Sequence, residues 1–175
     1  NRLSNILKSA GAVLGKQTVI NYVGYMMDSY MLFTLQNYAA KLVEKETSPK
    51  YYFMDTGLLG LMLMDCSSAQ LENLVAIELI RRYGRENVFY FEKNVEIDFY
   101  VPEEKLAIQV SLQVLDQIDT REREIGAFVK LKNFIGDATC LLITNSEEEE
   151  LDYEGVHVSV VPVWKWLLQN RKQDI

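Results

Sequence analysis

A mixed α/β (α+β) fold is what the sequence predicts, on three observations. The first third carries apolar residues at helical spacing, followed by extended runs separated by a turn. The remaining two thirds alternates helical segments with short strands rich in β-branched and aromatic residues. The composition of the 175-residue chain, 49% hydrophobic and 25% charged with three prolines, is that of an ordinary globular protein. It excludes collagen-like, low-complexity and disulfide-scaffold readings. No run approaches the roughly 20 apolar residues that span a bilayer, and no basic segment leads into an apolar one as in a secretory signal. No membrane partner and a cytoplasmic setting are therefore expected. A first residue of Asn1 rather than Met suggests a piece of something longer. Cys66 and Cys140, distant in sequence and without a CxxC or a nearby His, read as reduced core thiols.

The N-terminal elements come first. Leu3, Ile6 and Leu7 form a short helical stripe closed by Gly11. After Gly15 a second helix begins, with Val19, Tyr22, Val23, Met26, Met27 and Tyr30 on one face, read as core, and Gln17, Thr18, Asn21 and Tyr25 opposite. LFTLQNY is extended, and KLVEKE and KYYFMD read as a hairpin around Thr47-Ser48-Pro49. Helix, turn, helix and hairpin is the order of a winged helix, placed at residues 1–66. If that module binds DNA, its second helix presents Lys16, Gln17, Thr18 and Asn21 to the major groove, with Lys8 and the wing residue Lys45 on phosphates. The other reading is a module that packs on a partner domain and touches no DNA.

Residues 67–175 form the second expected domain. A short apolar helix over 55–66 and a Ser/Ala connector at 67–69 lead to a long helix from Leu71 to Tyr83, stopped by Gly84. Strands follow in NVFYFEK, VEIDFYV and LAIQVSL. Asp119 and Glu122 are placed as a capping pair for an amphipathic helix bearing Ile125, Phe128, Val129 and Leu131. ATCLLIT and VHVSVVPV are strands, and Trp164, Trp166 and Leu167 belong to a last helix. The order α-β-β-β-α-β-β-α predicts an α/β sandwich.

Charge is uneven. Residues 1–50 hold six Lys/Arg against three acids, net +3, which leaves −10 for the rest of a chain of net −7. That balance disfavours non-specific nucleic-acid binding by the whole surface and leaves a basic face possible only on the first third.

The strand around 95–101 alternates Val95, Ile97, Phe99 and Val101 with Glu96, Asp98 and Tyr100. Closing the Pro102-Glu103-Glu104-Lys105 turn so that Val101 meets Leu106 sets Asp98 against Gln109 and Glu96 against Ser111; shifted registers bury polar groups. A polar cluster of Glu96, Asp98, Gln109 and Ser111 is expected, with Glu72 turned inward from the preceding helix. Mg²⁺ prefers such oxygen ligands, and the same alternation equally suits a hairpin with one solvated face.

A helix with an inward Glu, a strand with Asp and a following strand with (D/E)-x-K is the arrangement of the PD-(D/E)xK, or restriction-endonuclease-like, fold. The segments YFMDTGLL, LENLVAIELIRRYG, VEIDFYV, LAIQVSLQ and PVWKWLL resemble the C-terminal domain of unknown function of predicted bacterial AAA+ superfamily ATPases. NILKSAG and GKQTVINYVGYMMDSYMLF resemble the winged-helix segment that precedes it. The resemblance covers nearly the whole chain. It implies a catalytic set Glu72, Asp98, Gln109 and Ser111, with Asp98 and Gln109 as weak Mg²⁺ ligands. Gln109-Val110-Ser111 stands where (D/E)-x-K belongs, and Ser111 cannot orient and activate water as a lysine does. The set is therefore expected to be degenerate and inactive.

The text Gly11-Ala-Val-Leu-Gly15-Lys16-Gln17 is not a Walker A motif: it is one residue short and has Gln where Ser or Thr is needed. ATP is expected only on the N-terminal ATPase domain that the resemblance implies as partner. No G-x-S-x-G is present, and His157, the sole histidine, reads as a strand-face residue. Glu147–Glu150 reads as a solubilising run in a loop. The expected function is a non-catalytic ATPase module serving DNA binding, protein interaction or both, with a homo-oligomer left open. The alternative is a metal-dependent DNA nuclease with an altered site.

Overall fold

In a computed structural model that describes residues 15–40, 49–62, 67–115 and 118–169, the β-rich runs of both halves join one sheet. Its strands are β1 (Leu32–Asn37), β2 (Lys50–Phe53), β3 (Phe89–Glu92), β4 (Glu96–Val101), β5 (Leu106–Val110), β6 (Thr139–Thr144), β7 (Glu149–Tyr153) and β8 (Val156–Pro162). Across the sheet they run β2-β1-β3-β4-β5-β6-β8-β7. β1–β3, β5–β6 and β6–β8 are parallel, and the other neighbours are antiparallel. The helices are α1 (Lys16–Asp28), α2 (Gly57–Met62), α3 (Ser67–Tyr83), α4 (Ile118–Ile135) and α5 (Val163–Leu168).

Each sheet face has its own core. Phe33, Leu35, Val75, Leu79, Phe99, Ile108, Ile143 and Trp166 pack together on the side of α3 and α5. Phe91, Ile97, Tyr100, Ile125, Phe128, Leu131, Leu142 and Val158 pack together under α4. Helices on both faces of a mixed sheet make the mixed α+β sandwich that the alternation of elements predicts. Burying each large apolar side chain stabilises this arrangement by about 1.5–3 kcal/mol before entropy is counted.

Several local expectations need correction. β2 pairs with β1, Phe33 opposite Tyr52 and Leu35 opposite Lys50, a neighbour that the hairpin reading did not name; the run at 41–46, its expected partner, lies outside the described residues, as does the first expected helix. The sheet also crosses the expected boundary at residue 66, because β1 lies beside β3 and Phe33 and Tyr52 share a core with α3. The stripe on α1 is only partly covered: Val19 is buried and Val23, Met26 and Met27 are half-buried, but Tyr22, and Tyr30 just past the helix end, are 53% and 81% exposed. Periodicity marks which residues share a helix face, not whether anything covers it. Ser67-Ser68-Ala69 is the first turn of α3 instead of a connector, since serine suits a helix start. Asp119 lies within α4, not ahead of it.

The acidic run is also more than a solvated loop. Its second half begins the edge strand β7, and the Glu147 carboxylate accepts the Val114 and Leu115 N–H groups at 2.6 and 3.1 Å. Glu148 pairs with Lys165. Acidic side chains on the solvent face of an edge strand hide its alternation from a sequence reading and guard the edge.

Candidate functional site

The β4–β5 register is the one that the turn predicts: Val101 faces Leu106, Tyr100 faces Ala107 and Phe99 faces Ile108. Beyond Phe99 the side chains take over from the backbone ladder. The Asp98 N–H donates to Gln109 Oε1 at 2.8 Å, and Gln109 Nε2 donates to the Glu96 carbonyl at 3.2 Å. In return the Val110 N–H donates to Asp98 Oδ2 at 2.9 Å. Buried backbone groups at a splaying strand end need partners, and Asp98 and Gln109 supply them.

A bulge re-aims this end of β4. Between the pairs Phe89–Tyr100 and Phe91–Ile97, β3 advances two residues and β4 three. The expected alternation therefore breaks: Ile97 lies in the α4-side core and Phe99 in the α3-side core. Bulges commonly turn a side chain in this way beside a site.

Glu72, Glu96, Asp98, Gln109, Glu124 and Lys130 all line one cavity of about 410 Å³. Glu72, on α3, accepts a hydrogen bond from the Tyr52 hydroxyl at 2.8 Å. Glu124, on α4, pairs with Arg123 at 2.6 Å. Ser111 does not face the cluster; its Oγ donates to the Gln113 carbonyl at 3.2 Å and its N–H to the Ile143 carbonyl at 3.0 Å.

The group that the sequence reading missed is Lys50. Its Nζ lies 2.6 Å from Glu96 Oε1 and 3.8 Å from Asp98 Oδ1, and 5.3 Å from the centre of the Tyr90 ring. Lys50 and Tyr52 project from the same face of β2, two residues apart. No local signal marks them, because their neighbours lie across three strands and a helix.

Burial, then the charge of Glu72, push the Asp98 carboxyl up to about 7, while Lys50 and the Val110 N–H pull it down. Burial opposes the Lys50 charge, but the bond to Glu96 and the charges of Asp98 and Glu72 more than offset it, holding the ammonium above the usual lysine range. Burial and Glu72 raise the Tyr52 hydroxyl well above its ordinary range, so it remains a donor.

A divalent ion fits this arrangement poorly. Gln109 Oε1 and Asp98 Oδ2 are engaged across the strands, and an ammonium stands beside the remaining Asp98 oxygen. A dication about 4 Å from that ammonium meets roughly 8 kcal/mol of repulsion at an effective dielectric near 20. Among the described residues no group of three or more His, Cys, Asp or Glu side chains is arranged to hold a metal.

The expected DNA-facing residues that the structure describes lie on the helix after Gly15, α1. Lys16, Gln17 and Asn21 are exposed on α1, with Thr18 half-buried, and Gln17 donates to Asn21 at 3.0 Å. Lys8, Lys45 and Cys66 lie outside the described residues. Cys140 is buried beside a second cavity of about 280 Å³, and burial pushes its thiol up to about 11, so it remains protonated at neutral pH. His157 is exposed on β8 between Asp152 and Glu150, at 3.0 and 3.1 Å, as a strand-face residue should be.

A family model described as a domain of unknown function (DUF8612) matches residues 2–69. An uncharacterized protein of Methanocaldococcus jannaschii is 32% identical over 177 aligned positions, which take in 95% of this chain and 40% of that protein. The chain thus spans about two fifths of the length of the curated relative it matches. No solved structure matches. The family match ends at residue 69, just inside α3, so it takes in the hairpin that carries Lys50 and Tyr52.

Proposed function

We propose that this chain is a non-catalytic module of a larger AAA+ ATPase, serving DNA binding, protein interaction or both through its N-terminal segment beside a degenerate nuclease-like α/β unit. The observation that carries this reading is the internal closure of the acid site. Asp98 and Gln109 stitch β4 to β5, and the Lys50 ammonium stands beside Glu96 and the other Asp98 oxygen. With Gln109 Oε1 and Asp98 Oδ2 bonded to the backbone and an ammonium beside the other Asp98 oxygen, the two expected ligands offer no open position for the metal and water that a nuclease needs. The match of this chain to part of a longer relative supports a role within a larger protein, and because that relative is archaeal the proposal is not confined to bacteria. The described residues contain no helix long and apolar enough to cross a membrane; a cytoplasmic setting belongs to the proposal.

Incubating the protein with supercoiled plasmid and Mg²⁺ or Mn²⁺ tests the reading. No nicking above background is expected. Nicking that Asp98→Ala abolishes would sink it. For DNA binding, duplex affinity measured at two salt concentrations should fall with salt and weaken in Lys16→Ala with Asn21→Ala. A signal insensitive to both assigns the N-terminal segment to protein interaction.

One observation favours a second reading, a metal-dependent nuclease. Lys50 brings to within 3.8 Å of Asp98 the ammonium that β5 lacks at Ser111. In that case Lys50→Met should abolish plasmid nicking along with Asp98→Ala.

A further inference from the structure

We propose that Lys50 is the built-in cation of the acid site, carrying the charge role that a divalent metal ion would otherwise fill and barring such an ion from entering. The inference deepens the non-catalytic reading and rests on it. Its ground is the way one face of β2 complements the cavity. Lys50 reaches Glu96 at 2.6 Å and Asp98 at 3.8 Å, while Tyr52, two residues along, donates to Glu72 at 2.8 Å. Three acids on α3 and β4 thus take their partners from a single four-residue strand.

The placement of Lys50 is fixed by packing, not by its ion pairs alone. Its residue pairs with Leu35 in the sheet, where Leu35 is 1% exposed, and its ammonium stands over Tyr90, also 1% exposed. The Lys50 side chain is itself 24% exposed. A lysine held in this way loses little further freedom on pairing with Glu96, whereas a solvated surface lysine would lose much more. The ammonium is a single charge with three donors. It satisfies carboxylates without the octahedral oxygen shell that Mg²⁺ demands, which suits a site whose amide and backbone oxygens are already engaged. Glu96, Asp98 and Glu72 act on this ammonium, so removing it leaves a surplus of carboxylate charge open to a small cation.

Calorimetric titration of Mn²⁺ into the unmodified protein, Lys50→Met and Lys50→Met with Asp98→Asn tests this. Methionine keeps the length and apolar stem of lysine while removing the charge. Lys50→Met should bind Mn²⁺ at least about tenfold more tightly than the unmodified protein, and Asp98→Asn should erase that gain. Equal Mn²⁺ affinity in the unmodified protein and Lys50→Met overturns the proposal. Where Lys50→Met does not melt cooperatively, Lys50→Gln takes its place. The unmodified protein supplies a second reading through the side-chain ammonium resonance of Lys50. That resonance should be unmoved by Mg²⁺; displacement by Mg²⁺ overturns the proposal. DNA cleavage by the unmodified chain would instead overturn the non-catalytic reading, a result separate from either titration.

Discussion

Asp98 is costly to ionise where it sits. It shares one cavity with Glu72 and Glu124, and burial together with their charge lifts its carboxyl to about 7 against an ordinary 3.8. Folding therefore raises its affinity for a proton. Its contribution to stability is full below about pH 4 and is lost as the pH rises toward 7, at about 1.4 kcal/mol per unit. Replacing it with asparagine keeps an oxygen for the Val110 N–H and removes the charge. In urea unfolding from pH 4 to 8, Asp98→Asn should gain stability relative to the unmodified protein through that window, with the gap level above about pH 7. A gap that does not change with pH would show that the carboxyl is not strained by its neighbours.

Among the elements, α3 and α5 are joined by a polar clamp at the edge of their shared apolar core. Glu78 accepts from Arg81 and Arg82, and Arg82 also donates to the Trp166 carbonyl at 3.0 Å. The Arg82 guanidinium lies 4.1 Å from the centre of the Trp166 ring, with its side chain only 8% exposed. Arg82→Ala should destabilise by about 2–3 kcal/mol in denaturant unfolding, since it strips Trp166 of two contacts and leaves Glu78 with Arg81 alone. The bond to Arg81, with those to Arg82, holds the Glu78 carboxyl below its usual range, so this contribution fades as the pH falls through the acid region. The end of α3 has its own requirement. Gly84 has φ +80°, and a Cβ there would meet a Glu86 oxygen at 2.6 Å. Gly84→Ala should cost about 1 kcal/mol or more by the same measurement.

For the molecule as a whole, the decisive fact is that the hairpin belongs to the main sheet. Phe33, Leu35 and Tyr52 are 2%, 1% and 6% exposed in the core that α3 also covers. A chain beginning at Ser67 would bare β3 and that core, and would lose both Lys50 and the donor to Glu72. It should show no cooperative thermal unfolding. A sharp melting transition in that shortened chain would mean that the α/β unit folds without its N-terminal strands.

Much of this was legible one residue at a time, because it depends on local spacing. The alternation of β5 and the length of the Pro102–Lys105 turn determined that Asp98 lies beside Gln109, and the bonds between them follow from that register. The strand–helix order determined the mixed α+β class, and Gly84 determined where α3 stops. Other features depend on which distant surfaces meet. Sequence spacing could not decide that β1 leaves its expected module to lie beside β3, that a bulge in β4 sends Ile97 to the opposite core from Phe99, or that Tyr22 on the apolar stripe of α1 stays exposed. Nor could it supply Lys50, which lies 48 positions from Asp98 in the chain and meets it because the hairpin docks on the sheet edge. Periodicity and turn chemistry act over a few residues, whereas the partner of a buried charge is chosen by the packing of whole elements.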